Sequence, residues 1–139
     1  MKDVLITVKT VQINEEDKTE LELTTEGHFA VRDGAFLITY EDSMMSDEFG
    51  VVNTSIKVKE KVVTISRSGA YRSKFTVEKG KRCNSLYETP FGRMTMGFFG
   101  EEVVNNLTEE GGKLSVKYSV DVNNSEINKN EIYVSVREA

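Results

Sequence analysis

The chain contains one cysteine, Cys83, one histidine, His28, and one proline, Pro90, in 139 residues. A lone cysteine cannot close an internal disulfide, which fits a reducing compartment. One Cys and one His cannot supply a zinc set of familiar spacing. His28 lies on the polar parity of its segment and reads as a surface histidine. Cys83 has no neighbouring base and reads as a buried, inert thiol. No apolar run approaches the roughly 18 residues of a membrane span. The opening MKDVLITVKTVQI shows alternation and charges where a signal peptide would have an apolar core. These absences predict a cytoplasmic protein that does not engage a membrane.

Clustered basic residues are also lacking. The net charge is −5 with the signs interspersed, and nucleic-acid binding needs concentrated Lys and Arg. The short KVKEKVV and EKGKR stretches read as solvated hairpin ends, so no nucleic-acid partner is expected. No GxSxG, P-loop or GxGxxG pattern occurs, and no cofactor is expected. Glu41, Asp42, Asp47 and Glu48 crowd one segment without the EF-hand order, which predicts a solvated loop and no metal. No acid–base pair can be named, so no catalytic residue is assigned and an enzyme is the third reading.

What the chain has throughout is a period of two. TELELTTEGHFAVR sets Leu21, Leu23, Thr25, Phe29 and Val31 against Glu20, Glu22, Glu26 and His28. AYRSKFTVEK sets Tyr71, Ser73, Phe75 and Val77 against Arg72, Lys74 and Glu78. KLSVKYSVDV sets Leu114, Val116, Tyr118 and Val120 against Lys117 and Asp121. Such alternation marks antiparallel strands with one wet face. EEVVNNLTEEGG is the only helix candidate, and a strand is preferred there. Turn signals recur at Asp33-Gly34, Glu60-Lys61, Ser68-Gly69, Lys79-Gly80, Gly111-Gly112 and Asn123-Asn124, mostly at hairpin spacing. EDSMMSDEFG lacks alternation and is a candidate lid or crossover loop. About ten strands in an up-and-down meander would leave two edges and a bare apolar face if left open. The expected fold is therefore one all-β domain over residues 1–139, an antiparallel up-and-down β-barrel.

The segment YETPFGRMTMGFFG holds that single proline. Thr89-Pro90-Phe91-Gly92 suits a type I turn with a bulge, which would pair Thr89 with Arg93. A loop one residue shorter or longer would instead bring Tyr87 beside Met94, and the sequence leaves both registers open. Met94 and Met96 read as core filler, and Gly92 and Gly97 as servants of backbone geometry.

ITYEDS (38–43), the ISRSG run ending at Gly69, YETPFG and KNEI (129–132) resemble the YwiB-like family of small bacterial proteins of unknown function with a calycin-like β-barrel. The resemblance extends over the whole chain and implies a calycin barrel, of the lipocalin-like and fatty-acid-binding type. It implies no catalytic residues.

The barrel interior is then the place for function. Parity turns Phe29, Phe36, Tyr40, Tyr71, Phe75 and Tyr118 inward, with Thr25, Thr54 and Ser73 as polar handles. The lumen is either filled by side chains or open to one small molecule. The open case predicts a binding module for a small amphipathic or anionic molecule, entered near EDSMMSDEFG. Its candidate ligand-binding residues are Tyr40, Arg67, Tyr71, Ser73, Tyr87, Arg93 and Tyr118, the arginines pairing with a carboxylate or phosphate. The filled case predicts a protein-interaction or homodimeric module acting through its outer surface. Either a monomer or a homodimer fits the composition.

Overall fold

The computed structural model describes residues 2–43, 50–69, 72–89 and 92–139, with backbone alone for 86–89 and 92. Ten strands follow one another: β1 (Lys2–Ile13), β2 (Lys18–Arg32), β3 (Ala35–Glu41), β4 (Val52–Lys59), β5 (Val62–Gly69), β6 (Ser73–Glu78), β7 (Arg82–Thr89), β8 (Gly92–Thr108), β9 (Gly111–Val122) and β10 (Ser125–Glu138). EEVVNNLT is strand, inside β8. Every ladder is antiparallel, and the order is β6-β5-β4-β3-β2-β1-β10-β9-β8-β7. Two meanders, β1 to β6 and β7 to β10, are thus joined by the β1–β10 ladder.

The sheet curls until its edges β6 and β7 lie side by side. Among the described residues no ladder joins them: Glu78 of β6 bridges to Lys81 in the intervening turn, and Lys79 of that turn bridges to Gly100 of β8. Side chains take over along the seam. Ser85 donates its hydroxyl to the Lys74 carbonyl at 3.0 Å. Inside, Phe75 stacks on Phe98 with ring centroids 4.4 Å apart. The result is a nearly closed all-β barrel.

Cross-strand register stacks the inward residues of β3 to β6 in layers, because the period of two puts alternate residues on the lumen side. Phe36, Val58, Val63 and Val77 form one layer and Ile38, Ile56, Ile65 and Phe75 the next. Val58, Val63, Val77 and Ile38 are fully buried, and Val4, Ile6, Val116 and Val136 close the same core from the other side. Phe29 stacks on Phe36 at 5.9 Å. This half of the barrel is solid. Leu21 and Val31, on the inward parity of β2, remain 53% and 40% exposed; β2 is 15 residues long and both lie toward its ends.

The hairpins at Asp33-Gly34 and Asn123-Asn124 have two successive positive φ values, 53° and 76°, then 51° and 70°, the signature of a type I′ turn. Gly111-Gly112 is not a turn. The reversal falls at Glu109-Glu110, and both glycines open β9. A Cβ at Gly112 would lie 2.3 Å from the Asn106 carbonyl oxygen, so glycine there permits close backbone approach. The β7–β8 register is Thr89↔Gly92, Glu88↔Arg93 and Tyr87↔Met94. The three-residue loop pairing Thr89 with Arg93 is therefore excluded: Gly92 pairs in the ladder and only residues 90 and 91, which lie outside the described residues, remain between the strands.

Gly97 has a different task. A Cβ there would meet the Arg82 guanidinium and the Asp121 carboxylate, each at 2.4 Å. Those two side chains form a bidentate pair, at 2.8 and 2.5 Å, spanning β7 to β9 across β8. The pair lowers the proton affinity of Asp121 and raises that of Arg82. His28 is an exposed residue 3.1 Å from Asp3. Cys83 is half-buried on edge strand β7, less enclosed than expected of a core thiol, because β7 has a partner on one side only.

Candidate functional site

One layer above Ile38, Ile56, Ile65 and Phe75, the inward positions change character. Tyr40 faces Thr54, Thr54 faces Arg67, and Arg67 faces Ser73. Four neighbouring strands thus contribute a continuous polar row at one depth. The row borders a cavity of about 390 Å³. Phe75, Phe98 and Tyr118 form its aromatic wall, with Tyr118 5.7 and 6.1 Å from the two phenylalanine rings. Val8, Thr10 and Ile132 line the facing wall, and the exposed Leu21 and Ile127 stand at its rim.

Asp42 stands where β3 passes into the β3–β4 link. It was expected in a solvated loop, yet it is 2% exposed. Its amide donates to the Val52 carbonyl at 2.8 Å, which prolongs the strand geometry beyond Glu41. The parity of Ile38 and Tyr40 then carries the carboxylate inward, where Thr54 donates its hydroxyl to Oδ2 at 3.0 Å. A buried carboxylate requires such donors. The cavity lies toward the barrel end that carries the β3–β4 link, whose residues 44–49 lie outside the described residues.

Tyr40 is 6% exposed. Burial, and then the negative charge of Asp42, push its phenol above the ordinary tyrosine range; Arg67 and a hydrogen bond with Thr54 pull less strongly the other way. Its hydroxyl is thereby kept as a neutral donor. Arg67 is half-buried, and its Nε–H is enclosed with no hydrogen-bond partner among the described residues. The carbonyl Oδ1 of Asn128 is in the same state. Asn128 faces Val120 just after a bulge in β10, lines the cavity, and also borders a hollow at the rim beside Ile127.

Of the residues singled out in the sequence, Tyr40, Arg67, Ser73 and Tyr118 converge on this cavity. Tyr71 lies outside the described residues, and Tyr87 is described only as a β7 backbone position opposite Met94. Arg93 is exposed on β8 opposite Glu88. Asp42 and Asn128 were missed as lumen residues. The inward parity of β3 was a usable signal for Asp42; Asn128 had none, because the bulge between Glu126 and Asn128 shifts its register. Among the described residues no group of three metal-ligating side chains gathers. The arrangement offers donors, an acceptor and aromatic surface, which suits binding.

A family model described as "Domain of unknown function (DUF1934)" matches residues 6–134. The "Uncharacterized beta-barrel protein YwiB" of Bacillus subtilis (strain 168) is 25% identical over 119 residues, covering 86% of this chain and 82% of that protein. The crystal structure of ywiB protein from Bacillus subtilis aligns with a TM-score of 0.75 at 21% identity, over 96% of this chain and 91% of that one. At that identity the structural likeness speaks for the fold.

Proposed function

The chain belongs to the family described as Domain of unknown function (DUF1934), and on that premise we propose that its barrel is a binding module for a small amphipathic or anionic molecule held in the lumen. The observation that carries this reading is the pair of enclosed polar atoms, Arg67 Nε and Asn128 Oδ1, that have no partner among the described residues and border one cavity. A buried polar atom without a partner costs about 1–3 kcal/mol, and native proteins keep few of them. A ligand that supplies the missing partners recovers that energy. Cavities of about 300–1,000 Å³ are the usual size for small ligands, and this one is toward the lower end. Arg67 receives the acceptor group, Tyr40 and Ser73 supply hydroxyls, and Tyr118 presents its ring to the body of the molecule.

The test combines native mass spectrometry with a thermal-shift screen of small carboxylates, phosphate esters and fatty acids. A ligand at a hundredfold excess over its Kd stabilises the fold by about 2.7 kcal/mol. The expected result is a mass adduct or a raised Tm that Arg67→Ala abolishes while the variant stays folded. A bare-chain mass with no shift from any compound would overturn the proposal. Interaction through the outer surface, read by sedimentation over a concentration series, would then replace it.

A further inference from the structure

The two unpartnered atoms differ in kind, and their positions in the ring are informative. Arg67 is on β5 and Asn128 on β10. Along the order β6-β5-β4-β3-β2-β1-β10-β9-β8-β7, β10 stands five steps from β5 in a ring of ten strands. That is half the circumference, so the two residues stand on opposite walls of the barrel. One presents an N–H on a cation and the other a carbonyl oxygen. Between them one arc of the wall is aromatic, from Phe75, Phe98 and Tyr118, the other carries Tyr40, Thr54 and the Asp42 carboxylate, already satisfied in part by Thr54, and the floor beneath is the packed layer containing Ile56 and Ile65.

We propose that the ligand is a bifunctional molecule lying across the lumen, with a carboxylate at the Arg67 end and a hydroxyl or N–H donor at the Asn128 end. This rests on the binding-module reading above and sharpens it. An anion answers the guanidinium with a charge-assisted hydrogen bond. A second anionic group opposite would meet a bare carbonyl oxygen, which repels it, whereas a donor satisfies it. A purely apolar tail would leave Asn128 Oδ1 desolvated and unpaired, the discrimination by which polar sites reject analogues that lack one group. Size sets the other limit. At about 30 Å³ per water-sized group, about 390 Å³ holds roughly a dozen such groups. Because the solid half of the barrel blocks the axis, a long acyl chain has no further space to run along it. The class is a compact hydroxy- or amino-carboxylate with a flat or short aliphatic body.

The experiment uses the full chain and three matched probe sets: 4-hydroxyphenylacetate, phenylacetate and 4-(2-hydroxyethyl)phenol; the ω-hydroxy and ω-amino carboxylates of four to eight carbons; and their parent carboxylates, diols and amino alcohols. Affinities come from calorimetry. The Arg67 Nε–H and Asn128 side-chain amide resonances report where each probe sits. At least one hydroxy- or amino-carboxylate should bind at least about tenfold more tightly than both its parent carboxylate and its alcohol analogue, as expected for the loss of one hydrogen bond to a buried partner. Asn128→Leu should erase the preference for the hydroxyl without erasing carboxylate binding, and Arg67→Gln should do the reverse. If parent carboxylates bind as tightly as their hydroxy forms and shift the Arg67 resonance, the binding module stands and the bifunctional ligand is refuted. If no probe moves either resonance, both are refuted.

Discussion

Thr54→Val tests the buried polar row where its geometry is best defined. Thr54 is 1% exposed and donates to a carboxylate that is itself 2% exposed. A hydrogen bond to a charged group contributes about 1.5–3 kcal/mol. Valine keeps the shape, removes the donor, and adds apolar burial that returns about 0.8 kcal/mol for the extra methyl. The net loss is about 1–2 kcal/mol. For a domain of this size that corresponds to a fall in Tm of about 3–8 °C, with a lower urea midpoint and an unchanged slope. Equilibrium urea denaturation of the parent, Thr54→Val, Asp42→Ala and the double variant completes a cycle. A coupling of at least about 1 kcal/mol between the two sites is expected. The reasoning is refuted if Thr54→Val is as stable as the parent, or if its cost is the same with Asp42 already removed.

Alkaline pH should find Tyr133, whose hydroxyl donates to the Glu131 carboxylate; that bond, more than burial, pushes its phenol up from 10.0 to about 12. Since the folded value is the raised one, its contribution to stability is complete below pH 10 and lost as the pH climbs to about 12. Ultraviolet titration and melting curves should show this, with a shallower decline in Tyr133→Phe. Gly97→Ala should displace the Arg82–Asp121 pair and lower the Tm, and most of that fall should vanish when Arg82 and Asp121 are already alanine; equal falls in both backgrounds would contradict the close approach. Amide hydrogen exchange should be faster in β6 and β7 than in β1 and β10, because each seam strand has a ladder on one side only; uniform protection around the ring would mean a continuous ladder at the seam.

Much of the barrel was legible because strand parity is a local property. The alternation around Phe75 and Tyr118 named which side chains face inward, and positive-φ residues in Asp33-Gly34 and Asn123-Asn124 marked true turns. Legibility failed where local cues have two meanings. Gly-Gly at 111–112 is equally a turn and a place where two backbones crowd, and only the position of Asn106 decides. Asp42 looked like a loop acid because the alternation in the sequence stops at Glu41, whereas the Val52 carbonyl extends the strand by one residue. The opposition of Arg67 and Asn128 depends on ring closure, a relation between residues 61 positions apart in the chain that no window of sequence contains.

Nine ladders build the sheet. Eight of them join strands that are consecutive in the chain, and the β1–β10 ladder alone pairs distant segments, from Val4↔Glu138 to Ile13↔Lys129. This division sets the order in which the protein can fold. Hairpin ladders close short loops at little entropic expense, and each meander can grow by adding its neighbour. The β1–β10 ladder instead closes a loop of nearly the whole chain, and doing so becomes cheap only after both meanders have shortened the path between its strands. The rate-limiting event is then the docking of two half-formed sheets along β1 and β10. Substitutions in that ladder should therefore slow refolding.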